Sequence, residues 1–585
     1  MGSDAHTTSG KAGACGAHLV FYATHTPTCA PGGAASGTGG AQAGAACSGK
    51  AGRQESGPEE GGETRPPTGE EGRAKAPTGQ EGEDGEESEE GGTAAGQEGR
   101  SRPKAPLGVR RPLDERAAAT QRPPVPYLPP SFLLGEIRML RQLLLLSLLL
   151  VPVLAACSKP GAGKMAWTGA TVLTGTGATI TNAVILVADG HIEAIGSVED
   201  VRVPRGTTVR DVAGRWIIPG LVDSHVHAER WTLPGYLAYG VTSVRDAGGI
   251  QDSVIFLRDD IASGTTEGPR LYVSGAMVDA APAVWPGATV VRTESDARRA
   301  VGNRVLIGAT QLMIYTKIDR RLIASLMDEA KALEMPVAAH LGRVDALTAA
   351  QLGVRSLEHM GGVVEAALGP RSGLVEAHAD FFRGWNASER AWSRADSASL
   401  QRLAAQLVAT DVAIVPTLAL HDAWAHLADE AYVGAVDVSG MPAGAVTAWN
   451  VPDLVRRAGI TAADFAAFQR SRPNQDLFVR LFRRAGGLVA AGSDSPNQLL
   501  PPGASLHREL ALLVAAGLTP DQALLAATRD AARLLAADSI GVLRTGGVAD
   551  FVVLRADPRQ DIANVGTIVE VVAAGYLVER TPTSR

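Results

Sequence analysis

The chain predicts an α/β fold, a (β/α)8 TIM barrel carrying a small β-sandwich made from the two ends of the catalytic region. Three observations lead there. Short apolar runs alternate with amphipathic stretches across residues 217–534, an order that gives a parallel sheet with covered faces. Polar residues of metal-ligand type stand at the ends of several of these runs. β-rich pieces at 166–216 and 535–580 flank the region, and neither is large enough to stand alone as a sheet.

The first run, Ile217-Ile218-Pro219-Gly220-Leu221-Val222-Asp223-Ser224-His225-Val226-His227, ends in two imidazoles two residues apart. Residues i and i+2 of a strand share a face, so His225 and His227 can grip one metal ion. A catalytic site needs about three protein ligands and an open position for water, so partners are expected elsewhere. His340 closes Pro336-Val337-Ala338-Ala339-His340, His359 closes Ser356-Leu357-Glu358-His359, and Asp494 follows Leu488-Val489-Ala490-Ala491-Gly492-Ser493. Singly, each could be a hydrogen-bonded structural histidine or a capping aspartate. At the C-terminal ends of barrel strands, where active sites lie, they are hard to explain by packing alone.

Further β-rich runs at 242–245, 270–274, 311–315 and 413–417 supply the second, third, fourth and seventh strands. The apolar spacing of Arg321 to Leu333 predicts a helix ended by Met335-Pro336. Ahead of the barrel, Ala183 to Ala188 and His191 to Ile195 flank Asp189-Gly190, a pair suited to the φ > 0 positions of a tight hairpin turn. His191 reads as a solvated strand residue. Behind the barrel, Ala549 to Leu554 and Ile568 to Val572 read as strands.

With these motifs in order, the chain resembles the amidohydrolase superfamily, in particular its imidazolonepropionase-like and prolidase-like members. The resemblance rests on I-I-P-G-L-V-D-S-H-V-H, G-V-T-S-V-R-D (Gly240 to Asp246), P-V-A-A-H, S-L-E-H, A-G-S-D and G-G-V-A-D-F-V-V-L (Gly546 to Leu554), and covers roughly Ala166 to Glu579. It implies that His225, His227, His340 and Asp494 bind a divalent metal, zinc above others, with His359 as a ligand or polarising partner. It implies a hydrolase of C–N bonds, in amides, cyclic amides or dipeptides, with Asp494 as general base and then general acid. Binuclear members carry a carboxylated lysine on the fourth strand, where this chain has Met313. Lys317 lies four residues on, about 13 Å along an extended strand, and is read as a solvated loop residue. One metal is therefore expected rather than two. The alternatives are a deaminase on the same fold and a catalytically reduced binding lipoprotein.

Residues 1–138, rich in Gly, Ala, Pro and Glu, show no sustained apolar periodicity and are expected to be disordered, or a gene-start error with Met139 as the true start. Met139-Leu140-Arg141 precedes the apolar run 143–156 and Leu154-Ala155-Ala156-Cys157, the pattern of a signal peptide. The run is short for a membrane span. Leu-Ala-Ala-Cys resembles the lipobox of bacterial lipoproteins, which implies a lipidated Cys157 and a place in the cell envelope, facing the periplasm or exterior. The remaining cysteines, Cys15, Cys29 and Cys47, all precede it, so the catalytic region has neither a disulfide framework nor a thiolate metal site. A net charge of −7 and the lack of a basic cluster in the catalytic region argue against nucleic acid.

Substrate contacts are legible only as candidates. Arg343 could meet a carboxylate and Tyr315 a carbonyl oxygen, although each reads more readily as structural. The segment from Leu420 to Gln475, with His421, Trp424 and His426, is a candidate lid, since loops at this barrel face set specificity. His507 reads as helix packing.

Overall fold

The computed structural model describes residues 163–249 and 251–579; the segments 1–138 and 139–157, with Cys157, lie outside them. Strands β1 (Met165–Leu173), β2 (Thr179–Ala188), β3 (His191–Ser197), β4 (Thr208–Asp211) and β5 (Trp216–Pro219) open the described chain. Asp189 (φ 48°) and Gly190 (φ 79°) both take positive φ between β2 and β3, as the Asp-Gly pair requires. His191 is exposed at the turn.

The boundary expected at Ile217 falls at Gly220 instead. Residues 216–219 belong to the terminal sheet, and the first barrel strand, β6, is Leu221–Val226. Gly220 allows this change of sheet because a Cβ there would lie 2.1 Å from Thr242 Oγ1. β7 (Val241–Asp246) and β8 (Arg270–Val273) continue from β6 as a parallel three-stranded sheet.

A second parallel sheet holds β9 (Val278–Ala280), β10 (Thr289–Val291), β11 (Leu312–Ile314), β12 (Val337–Ala339), β13 (Ser356–Glu358) and β14 (Ala413–Val415), in the order β10-β9-β11-β12-β13-β14. The two sheets are parts of one (β/α)8 barrel, with ladders too short at two seams to form continuous strands. At one seam, Thr310 donates its N–H to Val273 O at 2.8 Å. At the other, residues 488–495 take the eighth place. Ala490 donates to Ile414 O (3.0 Å), Ser224 to Ala491 O (2.9 Å) and Asp494 to His225 O (2.8 Å), joining β14 to β6. The helix Arg320–Ala332, capped by Asp319, buries Leu322, Ile323 and Leu326 against the barrel, as its spacing predicts.

After the barrel come β15 (Phe551–Leu554), β16 (Ile568–Ala573) and β17 (Tyr576–Leu577). The expected sandwich is one eight-stranded sheet, ordered β17-β16-β15-β5-β1-β2-β3 with β4 beside β1. It curls until His191 bridges Val548, so one sheet encloses its own core of Trp167, Ile185, Ile217, Phe551 and Val572. The two chain ends are tied directly: β15 pairs antiparallel with β5, and Trp167 Nε1 donates to Glu570 Oε2 at 2.8 Å.

Among the described residues, no helix is long and apolar enough to cross a membrane.

Candidate active site

The candidate ligands come from four places in the barrel. His225 lies on β6 and His227 just past its end, His340 follows β12, His359 follows β13, and Asp494 lies on the eighth segment. All five line one cavity at the C-terminal mouth. Backbone strain helps to aim two of them. His359 (φ 56°) and Asp494 (φ 60°) adopt the left-handed conformation that non-glycine residues seldom take, so their side chains leave the regular strand alternation.

The tightest group is His225, His227 and Asp494, whose candidate ligand atoms lie within 4.8 Å of one another. Asp494 Oδ1 is 3.3 Å from His225 Nε2 and 3.1 Å from His227 Nε2. His340 and His359 stand beside this group, with the His359 ring 4.4 Å from that of His225 and 4.6 Å from that of His340.

The outer nitrogens of the three clustered imidazoles are committed. His225 donates Nδ1–H to Glu358 Oε2 (2.7 Å), His227 donates Nδ1–H to Gly248 O (2.7 Å), and His359 Nδ1 is hydrogen-bonded to Thr417 Oγ1 (2.7 Å). Carboxylate and carbonyl oxygens only accept, so His225 and His227 each aim an Nε2 lone pair at Asp494. Asp494 Oδ1 and His340 Nε2 are buried without a hydrogen-bond partner. Facing lone pairs of this kind call for a cation between them, and two imidazoles with a carboxylate suit zinc or a similar divalent ion.

The electrostatics agree. Burial lowers the His225 imidazole, but the adjacent Asp494 and Glu358 carboxylates outweigh it and raise its pKa to about 9, so the site attracts positive charge at this point. Burial holds the His340 imidazole down to about 3 and keeps His359 neutral, well below its ordinary range. Burial raises the Asp494 carboxyl, yet His359, His225 and His227 together pull it well below the usual carboxylate range. Glu358 is likewise raised by burial and brought down to about 2 by Arg245, His225 and Ser356.

Glu358, Arg245 and Thr417 are the support that sequence reasoning missed. Arg245 Nη2 donates to Glu358 Oε2 at 2.6 Å and Nη1 to Ser356 Oγ at 3.1 Å, so a buried guanidinium fixes the carboxylate that orients His225. The signal was present: Ser356 and Glu358 share a strand face two residues apart, and Arg245 lies inside the G-V-T-S-V-R-D motif.

Met313, in the place of the bridging lysine, is buried and lines the cavity with Ala247, Ala338 and Met277 around it. Lys317 does not replace it, because its ammonium donates to Pro282 O at 2.8 Å and the residue is not part of the cavity wall. Arg343 is exposed and also outside the wall, so it meets no substrate carboxylate there. Tyr315 does line the cavity, with its ring 4.5 Å from that of His340.

The candidate lid is a set of packed helices. Leu418–Ala425 places Leu420 and Trp424 in the cavity wall. His421 and His426 are not ligands: His421 is hydrogen-bonded to Glu389 (2.8 Å) and to the His359 carbonyl (3.0 Å), while His426 stacks on Tyr432. His507 packs its helix through Tyr239 O at 2.8 Å.

The fold is that of a barrel whose candidate site lies at the C-terminal ends of its strands, the place where barrel enzymes carry their active sites. The chain belongs to the amidohydrolase family, whose model matches residues 216–578, and it is a hydrolase acting on C–N bonds. It is 26% identical over 428 residues to an imidazolonepropionase of Deinococcus radiodurans, covering 68% of this chain and 92% of that one. A Bifidobacterium longum structure described as a prolidase aligns with a TM-score of 0.54 and 26% identity, over 73% of this chain and 97% of that one. The bottromycin amidohydrolase structure shares the fold at TM-score 0.56 and 22% identity, over 72% of this chain and 88% of that one.

Proposed function

We propose that the chain is a metal-dependent hydrolase that cleaves the C–N bond of an amide, cyclic amide or dipeptide with a metal-activated water. The observation carrying this reading is the convergence of His225 Nε2, His227 Nε2 and the partnerless Asp494 Oδ1 on one point. His225, His227 and Asp494 would hold one divalent ion, zinc by the chemistry of the donors, with His340 and His359 as further ligands or polarising partners. Met313 favours one ion over two. When bound, the ion supplies a water of lowered pKa and polarises the scissile carbonyl.

The chain's own residues do the rest. Asn497 Nδ2 donates to Asp494 Oδ2 at 2.7 Å and fixes the carboxylate plane. Asp494 takes a proton from the attacking water and returns it to the leaving nitrogen, giving an acid and an amine. His359, neutral and buried beside the group, polarises the carbonyl oxygen.

The test is metal content in protein purified without chelator, together with a panel of amides assayed with wild type and His225→Ala. About one equivalent of metal and turnover lost in the variant are expected. Wild-type protein lacking zinc, iron and manganese would overturn the reading, and ammonia as the released product would mark a deaminase.

The sequence around Cys157 supports a second proposal, a lipid-anchored place in a bacterial envelope. Cys157→Ser is expected to move the protein from the membrane to the soluble fraction; an unchanged membrane fraction would count against it.

A further inference from the structure

Beside the metal-ligand group the described wall is aromatic and carries no lysine or arginine. Trp285, Phe381, Phe382, Trp385, Trp424 and Met313 line the cavity, and no lysine or arginine is among its described lining residues. Nearby cations are otherwise engaged or placed. Arg245 is bound to Glu358 and Ser356, Lys317 donates to Pro282 O, and Arg343 is exposed outside the wall. Besides the four histidines, Tyr315 and the indoles, the polar side chains of the described wall are the negative carboxylate of Asp494 and the neutral amides of Asn497 and Gln498.

Two physical consequences follow for a bound molecule. Aromatic rings in the wall offer edge and face contacts to a ring or a branched chain, which gain from burial beyond the area alone. Away from the metal-ligand group, a substrate carboxylate would be stripped of water with no lysine or arginine in the described wall to meet it. A carboxylate that reached the ion instead would take the place of the attacking water.

Resting on the reading of the site as a metal-dependent hydrolase, we propose that its substrate is an uncharged amide bearing a bulky aromatic or aliphatic group, and that the cavity discriminates against amides with a free carboxylate beside the scissile bond. The wall thereby sets this chain apart from any hydrolase that must grip the carboxylate of a dipeptide.

The experiment uses two probes that differ by one carboxylate, N-(2-phenylethyl)benzamide and N-benzoylphenylalanine. Binding to the purified holoenzyme is read from tryptophan fluorescence and calorimetry, and hydrolysis separately from chromatographic release of benzoate. The neutral probe is expected to bind at least tenfold more tightly. Met277→Lys, which places an ammonium in the same wall, is expected to narrow or reverse that ratio, with circular dichroism verifying that the variant folds. Equal or tighter binding of the carboxylate probe to the wild type, or no binding of either, would overturn the inference. Selective binding without hydrolysis would leave the substrate preference standing and tell against the hydrolytic reading, so the two fail separately.

Discussion

Glu358 Oε2 lies 2.7 Å from His225 Nδ1, at the ring position opposite the nitrogen that faces Asp494. This contact fixes the His225 tautomer and makes the imidazole a stronger donor to a cation. Glu358→Gln keeps the shape and removes the charge. Zinc affinity, measured by competition with a chromogenic chelator, is expected to fall about 10- to 100-fold. An unchanged affinity would mean that His225 is not oriented through this carboxylate.

Met313, at the position where the family resemblance places a carboxylated lysine, lines the cavity, and Lys317 is held at Pro282. Elemental analysis of the wild type is expected to give about one metal per chain, and Lys317→Ala should leave that value unchanged. Met313→Lys, prepared in bicarbonate, is expected to raise it. Two equivalents in the wild type would refute the single-ion assignment.

Gly220 passes so close to Thr242 that an added Cβ would overlap its hydroxyl. Because the neighbour is a β-branched residue in β7 and the site is buried, Gly220→Ala is expected to cost about 1–3 kcal/mol, the usual range for overpacking. Denaturant unfolding would show it as a lowered midpoint. A matching rescue by Thr242→Ala, which removes the overlapping hydroxyl and methyl, would tie the loss to that contact.

Burial raises the Glu509 carboxyl from 4.5 to about 8, against its hydrogen bond from Ala419 N at 2.8 Å. A carboxyl raised in the folded state favours folding while it is neutral. That contribution is full below the unfolded value and is lost as pH rises toward about 8. Glu509→Gln keeps an acceptor for Ala419 and removes the titration. Above pH 8 the variant should be more stable than wild type by a few kcal/mol, since each pKa unit is about 1.4 kcal/mol. Parallel stability curves for the two proteins from pH 5 to 9 would disprove the linkage.

The sequence carried the barrel plainly where a run and its terminal polar residue coincide, as at Val337–Ala339 with His340 and Ser356–Glu358 with His359. It was less legible where one apolar run serves two sheets. Within Ile217 to Val226 the Pro219-Gly220 pair is a local break signal, but that the chain changes sheets there depends on the close approach of Thr242, distant in sequence. The form of the two-ended β unit was hidden for a related reason: strand composition marks β1 to β5 and β15 to β17, whereas their joining into one curled sheet depends on the long-range β15–β5 pairing.

Candidate ligand types and their order follow from the sequence itself, because strand periodicity and side-chain chemistry are local properties, while Met313 stands out only against the family resemblance. Tertiary structure alone decided the selection among them. It brought candidate ligand atoms of His225, His227 and Asp494 within 4.8 Å of one another, put Glu358 and Arg245 behind His225, and left Lys317 and Arg343 outside the wall. Each of these outcomes depends on how strand ends and left-handed turns aim side chains across the barrel mouth. Distances across a barrel are set by its closure, which no single segment encodes.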